Sequence, residues 1–316
     1  MTRLYRGNHV AVILPCFNEV LVVASVVESF RKALPEATIY VFDNASTDGT
    51  AEAARAAGAI VRHVPQRGKG NVVRRQFADV DADVYVMADG DGTYDATASR
   101  ALVDQLLDNG LDMVVGTRVP VGDGGEYRAG HKLGNRVLTG TVANMFGRGF
   151  TDMLSGYRVL SRRFVKSFPA LSKGFEIETE LTIHALELRA PYGEAPTAYG
   201  SRQEGSSSKL STVRDGFRIL EAIIRLFARE RPRQLYLSMG LVVAIVSILL
   251  AIPVFIEFFE TGLVPRLPTA IMAGLGLVAS LVLGATAVIL DSVVTGRREA
   301  KRLRYLEIAG PKVMAE

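Results

Sequence analysis

The densest acidic feature of the chain is Asp89-Gly90-Asp91-Gly92, which closes the apolar run 84–89. Two carboxylates separated by one glycine can offer hard oxygen ligands to Mg²⁺ or Mn²⁺, and the glycines admit a bulky anion close to the backbone. Ions held this way usually also touch substrate phosphates. One D-x-D is a weak motif by itself, because short acidic turns are common. Other polar groups follow other short apolar runs: Pro15, Asn18 and Glu19; Asp43, Asn44 and Asp48; Asp95; and Thr117 with Arg118. Each has an ordinary alternative, since Asp48-Gly49 is a turn signal and Asp95 can cap a helix. No G-x-G-x-x-G follows a strand and no G-x-x-x-x-G-K-[ST] is present, which argues against dinucleotide oxidoreductases and P-loop enzymes.

Such clusters act together only if a scaffold makes them converge. Residues 10–15, 38–43, 59–64, 84–89 and 113–116 are short runs rich in Val and Ile, separated by helix-like stretches such as 20–33 and 51–57. Strands alternating with helices predict an α/β fold: a mostly parallel, doubly wound sheet with helices on both faces. Ligands of such sheets bind beyond the carboxyl ends of the strands, where the four clusters would meet.

The 316 residues are 48% hydrophobic and 22% charged, too ordinary for a disordered or fibrous chain. That average conceals a split. Residues 235–256 and 267–290 contain no Asp, Glu, Lys or Arg, and each run exceeds the roughly 18 apolar residues of a membrane-span candidate. Two buried helices of a globular core are the alternative, which the complete absence of charge over this length disfavours. Arg225, Arg229, Arg231 and Arg233 precede the first run, and Arg297, Arg298, Lys301, Arg302 and Arg304 follow the second. The connection 257–266 holds one basic residue, so the positive-inside bias predicts both ends in the cytoplasm. This clustering also gives the net charge of +4 a home other than nucleic acid.

Just before the first run, Leu210, Val213, Phe217, Leu220, Ile224 and Phe227 recur at helical spacing, with Arg214, Arg218, Arg225 and Arg229 on another side. This amphipathic helix either packs on the soluble domain or lies in the membrane interface, and its position favours the interface. The single cysteine, Cys16, cannot form an intramolecular disulfide and is expected to be a small buried residue. Arg3 and Arg6 before residues 10–17 mimic a short leader, but Asn18 and Glu19 interrupt the run at once. No His/Cys spacing suggests zinc, and His131 and His184 are expected at the surface or in packing.

Taken in order, Leu14-Pro15-Cys16-Phe17-Asn18-Glu19, residues 41–50 (Val-Phe-Asp-Asn-Ala-Ser-Thr-Asp-Gly-Thr), Gly68-Lys69-Gly70 and Asp89-Gly90-Asp91 resemble the motifs of family 2 glycosyltransferases of GT-A (Rossmann-like) fold. Ser155-Gly156-Tyr157-Arg158 and the segments 174–181 and 202–209 are similar to the polyprenyl-phosphate branch, which includes dolichyl-phosphate mannose synthases and bacterial glucosyl-carrier enzymes. The likeness covers about residues 8–220, and the apolar hairpin resembles the anchor of the membrane-bound members.

That resemblance implies inverting transfer of a sugar from a UDP- or GDP-sugar to a polyprenyl phosphate of undecaprenyl or dolichyl type. Pro15, Asn18, Glu19, Asp43, Lys69 and Asp89 would line the nucleotide-sugar pocket, and Asp89 and Asp91 would hold Mg²⁺ or Mn²⁺. Arg118, Lys132 and Arg136 would bind the acceptor phosphate, while Arg202 and Lys209 would close over the phosphates. A phosphate monoester is already an anionic nucleophile, so such an enzyme needs to hold two anions together more than it needs a strong base. Glu176, Glu178 and Glu180 are either helpers, with Glu178 at the position the family tends to keep acidic, or a solvated helix face. Lys132 and Arg136 share a helical face, as they would on an ordinary surface helix too.

Three positions depart from the family pattern. Asn44 stands where a second acidic residue is common, Thr93 where dolichyl-phosphate mannose synthases tend to place a metal-coordinating Gln, and 202–209 holds one extra Ser. The expected organisation is a cytoplasmic GT-A domain (1–209), an interfacial helix (210–234), two transmembrane helices (235–290) and a basic cytoplasmic tail (291–316). The protein is expected in the inner membrane, with its hairpin able to pack against another copy. A processive polysaccharide synthase is the nearest alternative, disfavoured because the Q-x-x-R-W signature needs a Trp that the chain lacks. A membrane-bound nucleotide-sugar binding protein without catalysis is another. The sugar, the nucleotide and the polyprenyl length are not readable from the residues, although the resemblance to glucosyl-type enzymes leans to UDP.

Overall fold

The computed structural model describes residues 4–121, 150–174, 176–200 and 231–312, with 140 and 228. The chain folds as two compact units, Met1–Ile219 with Lys301–Glu316, and Leu220–Ala300.

The first unit is an α/β sandwich on a seven-stranded sheet of order β3-β2-β1-β4-β6-β5-β7. The strands are β1 (Val10–Cys16), β2 (Thr38–Asp43), β3 (Ile60–His63), β4 (Val84–Met87), β5 (Met113–Pro120), β6 (Arg158–Ser161) and β7 (Tyr192–Tyr199). The helices α1 (Val23–Ala33), α2 (Thr50–Ala56), α3 (Lys69–Asp79), α4 (Ser99–Asp108), α5 (Arg162–Ser167) and α6 (Ile177–Leu188) join or cover them. All pairings are parallel except those of β6, which runs antiparallel to both β4 and β5. β1 and β4 are apolar on both faces because helices cover both, which is why they read as continuous Val/Ile runs rather than alternating ones.

The expected α/β sheet is thus present, with two strands the periodicity does not reveal. β6 contains a fully buried arginine, Arg158. Its guanidinium donates to the Ser155 and Met153 carbonyls at 3.0 and 2.6 Å and to Thr182 Oγ1 at 3.0 Å. Burial lowers its pKa to about 10, so it stays charged at neutral pH. β7 contains Gly193 and Pro196, which an edge strand tolerates because only one side of it pairs.

Residues 301–312 belong to this first unit. Lys301 pairs with the buried Glu187 at 2.7 Å, and the side chain of Asn8 both donates to and accepts from the backbone of Lys312 at 2.9 Å. Tyr305 donates to Asp112, which is fully buried and also accepts from Ser161 and, twice, from Arg163.

The second unit contains α7 (Pro232–Thr261) and the apolar part of α8 (Leu267–Leu306). α7 opens on Pro232, whose missing N–H costs nothing at that position, and closes on Gly262 at φ +71°. The two helices run side by side: Ser280 Oγ donates to the Gly240 carbonyl at 2.8 Å, and a Cβ on Gly276 would fall on Ser247. Small residues allow this approach. Their other faces carry exposed apolar side chains, such as Phe259 at 82% and Leu281 at 76%. Both helices are long and apolar enough to cross a membrane.

Candidate active site

Parallel strands bring the carboxyl ends of β1, β2 and β4 to one edge of the sheet, where Cys16 lies opposite Asp43 and Ile13 opposite Met87. The loops beyond are tied to one another. Gly90 N donates to the Pro15 carbonyl at 3.3 Å and Asn44 N to the Cys16 carbonyl at 2.8 Å. A Cβ on Gly90 would meet the Cys16 sulfur, so the glycine lets the two loops pack this closely. Asn18, at φ +54°, accepts from Thr47 N at 3.0 Å, and Glu19 N donates to Thr50 Oγ1 at 2.9 Å. Pro15, Asn18, Glu19, Asp43, Asp89 and Asp91 therefore share one end of the sheet.

Asp43 is 3% exposed. Its Oδ2 lies 3.2 Å from His63 Nδ1, and its Oδ1 is buried with no hydrogen-bond partner, an acceptor suited to a ligand N–H or hydroxyl. Asn44, at the departure from the acidic family pattern, organises the following loop. Its amide donates to the Val64 and Gln66 carbonyls at 3.0 and 2.7 Å and accepts from Gly68 N at 2.8 Å. A carboxylate could not make the first two bonds.

Gly68-Lys69-Gly70 begins α3 against the backbone of Ser172 and Lys173. Gly70 N donates to the Lys173 carbonyl at 3.1 Å, and a Cβ on either glycine would collide with that segment. The turn aims Lys69 inward. Its ammonium bridges Asp89 and Glu178, the latter at 2.5 Å, and its side chain is 8% exposed. Desolvation alone would lower its pKa, but the charges of Asp89 and Glu178 outweigh this and raise it. Glu178 is buried at 4%, with Oε2 unpartnered, while Glu176 is exposed and Glu180 caps the 171–172 backbone. Of the three glutamates only Glu178 joins the site. A Cβ on Gly156 would lie 3.0 Å from both Asp89 Oδ2 and Lys69 Nζ, so this motif glycine leaves room for the ion pair.

Asp91 is 7% exposed and accepts from Thr93 N and Oγ1 at 3.2 and 2.7 Å. Thr93 therefore orients the Asp91 carboxylate by donating to it, where a Gln would offer an amide oxygen. Tyr94 Oη accepts from Gly156 N at 2.8 Å, and burial raises its pKa, which keeps the phenol protonated. Arg118 is held by Asp152 and lies over the Tyr199 ring at 5.6 Å. Burial pushes the Asp152 carboxyl up, but the hydrogen bonds and charge of Arg118 outweigh it and hold it below the usual range. Lys132, Arg136, Arg202 and Lys209 lie outside the described residues, as does most of the expected amphipathic helix.

Asp89 and Asp91 fit a hard divalent ion: both present carboxylate oxygens, and Asp89 already balances a cation, the ammonium of Lys69. Among the described residues no group of three or more His, Cys, Asp or Glu could hold a metal. Two carboxylates completed by substrate phosphates and water are the alternative that Mg²⁺ commonly adopts.

The profile described as "Glycosyl transferase family 2" matches residues 11–168. Glycosyltransferase AglJ of Haloferax volcanii is 32% identical over 300 residues, covering 94% of this chain and 98% of that one. The chain belongs to glycosyl transferase family 2. A second family relative from that organism, the low-salt glycan biosynthesis hexosyltransferase Agl6, is 29% identical over 248 residues, 76% of this chain and 58% of Agl6. Among solved structures, glucosyl-3-phosphoglycerate synthase from Mycobacterium tuberculosis, in complex with Mn²⁺, UDP-glucose and phosphoglyceric acid, shares the fold. The TM-score is 0.56 at 25% identity, over 71% of this chain and 80% of that one. The family 2 reading and the GT-A sheet expected from the motifs are thereby borne out. Asp152 and Tyr94 lay outside the motifs singled out, while Lys69, Glu178 and Arg158 lay inside them, but the pairing of Lys69 with Glu178 was not disclosed there.

Proposed function

We propose that this family 2 glycosyltransferase transfers a hexose, with inversion, from a UDP- or GDP-sugar to a polyprenyl phosphate at the cytoplasmic face of the inner membrane. The observation that carries this reading is the union of a family 2 site with two helices whose outward faces are bare apolar side chains. An acceptor confined to the membrane explains why a transferase would keep both. The basic residues flanking the two apolar runs, against one in their connection, favour the sugar-nucleotide side lying in the cytoplasm. AglJ aligns along nearly the whole chain, helices included, and Agl6 is named a glycan biosynthesis hexosyltransferase. The bound Mn²⁺ and UDP-glucose of the M. tuberculosis enzyme favour a divalent ion and lean the nucleotide toward UDP.

In this reading an acceptor phosphate oxygen attacks the anomeric carbon from the face opposite the leaving group. A new phosphate–carbon ester bond forms, the bond to the nucleoside diphosphate breaks, and the diphosphate departs with the electron pair. The buried acceptor on Asp43 would take a donor hydrogen from base or ribose, and Asn18 and Glu19 would shape the pocket rim. Asp89 and Asp91 would hold Mg²⁺ or Mn²⁺, which supplies positive charge for the leaving diphosphate. Arg118, fixed by Asp152 and Tyr199, would meet the acceptor phosphate, joined by Lys132 and Arg136, with Arg202 and Lys209 offsetting charge between the phosphates. No strong proton acceptor is required, because the nucleophile is already an anion.

The test is transfer of labelled sugar from a panel of UDP- and GDP-sugars to undecaprenyl phosphate by the purified full chain, with Mg²⁺, Mn²⁺ or EDTA. Metal-dependent label in the lipid extract that vanishes in Asp91→Ala is expected. Label in polymer rather than lipid would replace this reading with a processive synthase, and nucleotide binding without any transfer would replace it with a binding protein.

A further inference from the structure

Lys69 and the proposed metal compete for one carboxylate. The ammonium lies against Asp89, its side chain is 8% exposed, and a Cβ on Gly156 would stand 3.0 Å from both partners of the pair. Asp89, with its side chain 28% exposed, is reachable by an ion, and two cations on one carboxylate repel each other through their like charges. Lys69 nevertheless has somewhere to go. Glu178 Oε1 already accepts from it at 2.5 Å, and Glu178 Oε2 is buried without a hydrogen-bond partner. An ammonium carries three donors, so a lysine that leaves Asp89 can transfer that hydrogen bond to the second oxygen of Glu178 without becoming a stranded buried charge.

We propose that Lys69 couples metal binding to donor binding: it holds Asp89 until a nucleoside diphosphate arrives, then yields that carboxylate to the divalent ion and withdraws onto Glu178. The driving force is the diphosphate's negative charge, which attracts the metal and offsets the repulsion between metal and ammonium. Glu178 is in this view a positioning residue, the resting place that makes the exchange cheap. The inference rests on the nucleotide-sugar reading of the site. It assigns Lys69 a role beyond lining the pocket, since the same side chain ties the affinity for one ligand to the presence of the other. Reciprocity follows: the metal must strengthen nucleotide binding by the same factor by which the nucleotide strengthens metal binding.

The full chain in detergent micelles is titrated with Mn²⁺, free ion being counted by electron paramagnetic resonance, without nucleotide and with saturating UDP or GDP. For the wild type the nucleotide is expected to raise Mn²⁺ affinity about 5- to 150-fold. The double variant Lys69→Met/Glu178→Gln removes one positive and one negative charge, so the formal charge of the site is unchanged. It is expected to bind Mn²⁺ more tightly than wild type without nucleotide, and to show a smaller nucleotide effect. Glu178→Gln alone weakens the resting place and leaves Lys69 more firmly on Asp89, so it should shift in the opposite direction, with weaker Mn²⁺ binding and a larger nucleotide effect. Lys69→Arg keeps the charge and should keep the coupling.

Unchanged Mn²⁺ affinity and unchanged coupling in the double variant would overturn the proposal. Should that variant fail to fold, a Glu178→Gln protein indistinguishable from wild type overturns it equally. Failure of the underlying reading has a different signature: the wild type would bind neither UDP nor GDP at any Mn²⁺ concentration, while the comparison of Mn²⁺ affinities without nucleotide still decides whether Lys69 competes for Asp89.

Discussion

Arg118 and Asp152, 34 residues apart in sequence, meet through two hydrogen bonds, Nε to Oδ2 at 2.8 Å and Nη2 to Oδ1 at 2.7 Å. The Arg118 backbone N–H adds a third contact to the same carboxylate at 3.2 Å. The carboxylate so fixes the plane and direction of the guanidinium, as the proposed contact with an acceptor phosphate would need.

Under the proposed function, Asp152→Asn is expected to lower kcat/KM for the proposed lipid acceptor by about 10- to 100-fold, or about 1.4–2.8 kcal/mol, while leaving UDP affinity unchanged. Steady-state kinetics with the two substrates varied separately would show the split. Equal losses for both substrates would mean a general collapse of the site. The pH dependence has a definite sign. Because the folded carboxyl is held below its ordinary range, its contribution to stability is fully present above the unfolded value near 3.9 and is lost as pH falls through the folded pKa. The stability difference between wild type and Asp152→Asn should hence be flat from about pH 5 to 8 and shrink only in stronger acid.

Asn44→Asp tests the loop that carries Lys69. The substitution is nearly isosteric but turns two donated hydrogen bonds, to the Val64 and Gln66 carbonyls, into contacts between acceptors. Asn44 is 6% exposed, so water cannot easily replace them. A loss of about 2–3 kcal/mol is expected, with faster amide exchange at residues 64–68 and weaker nucleotide binding. Exchange measured by mass spectrometry that stays at the wild-type level would remove Asn44 from this role.

Gly90→Ala probes the backbone between the two acidic residues. The new methyl would meet Cys16 Sγ, with the Pro15 carbonyl oxygen 3.2 Å away, so Mn²⁺ binding and transfer should both fall sharply. Cys16→Ala removes the sulfur and should restore much of both in the double variant, a non-additivity expected only of residues in contact. Cys16 itself should resist iodoacetamide in the folded chain, because burial, and then the surrounding carboxylates, push its thiol well above the ordinary value. An additive double variant would mean that the two side chains do not compete for the same space.

These tests also mark where sequence patterns stop being informative. β1 and β4 were legible as continuous apolar runs, the signature of strands buried on both faces, and β2 as a β-rich run closed by Asp43 at the ligand edge. β6 was not, since four residues beginning with an arginine look like nothing until Met153, Ser155 and Thr182 supply partners for that charge. Glu176, Glu178 and Glu180 form one acidic string by sequence, and only packing decides that the middle one turns inward to Lys69. Asp152 bears no periodic relation to Arg118, and Asn44 reads as a departure from an acidic pattern until its three loop contacts explain it.

His184 supplies a pH test of the fold apart from the site. Its ring lies edge-on to Phe164 and Phe168, at 5.1 and 5.3 Å between centroids, with Ser167 Oγ 3.0 Å from Nε2. Burial, reinforced by the nearby charge of Lys301, lowers its pKa to about 3. The folded chain therefore keeps this imidazole neutral while the unfolded chain protonates it near 6.5, so its contribution to stability is complete above about pH 6.5 and declines below, by up to about 1.4 kcal/mol per pH unit. Denaturant unfolding of His184→Gln between pH 5 and 7 should show a shallower slope than wild type. Identical slopes would locate the acid sensitivity elsewhere.

Tyr305→Phe asks whether residues 301–312 are a working part of the catalytic unit. Asp112 is completely buried and accepts from Ser161, Arg163 and Tyr305, while the Arg163 guanidinium also lies 4.8 Å from the Tyr305 ring centroid. Losing the hydroxyl leaves a buried carboxylate with one donor fewer and should cost about 1–2 kcal/mol. Tyr305→Ala also removes the ring beneath Arg163 and should cost about 1 kcal/mol more. The same ordering is expected for the stability of the full chain in detergent, followed by denaturant unfolding in the near ultraviolet. Equal stability of all three proteins would mean that Asp112 is satisfied by Ser161 and Arg163 alone, and that residues 301–312 rest on the domain without supporting it.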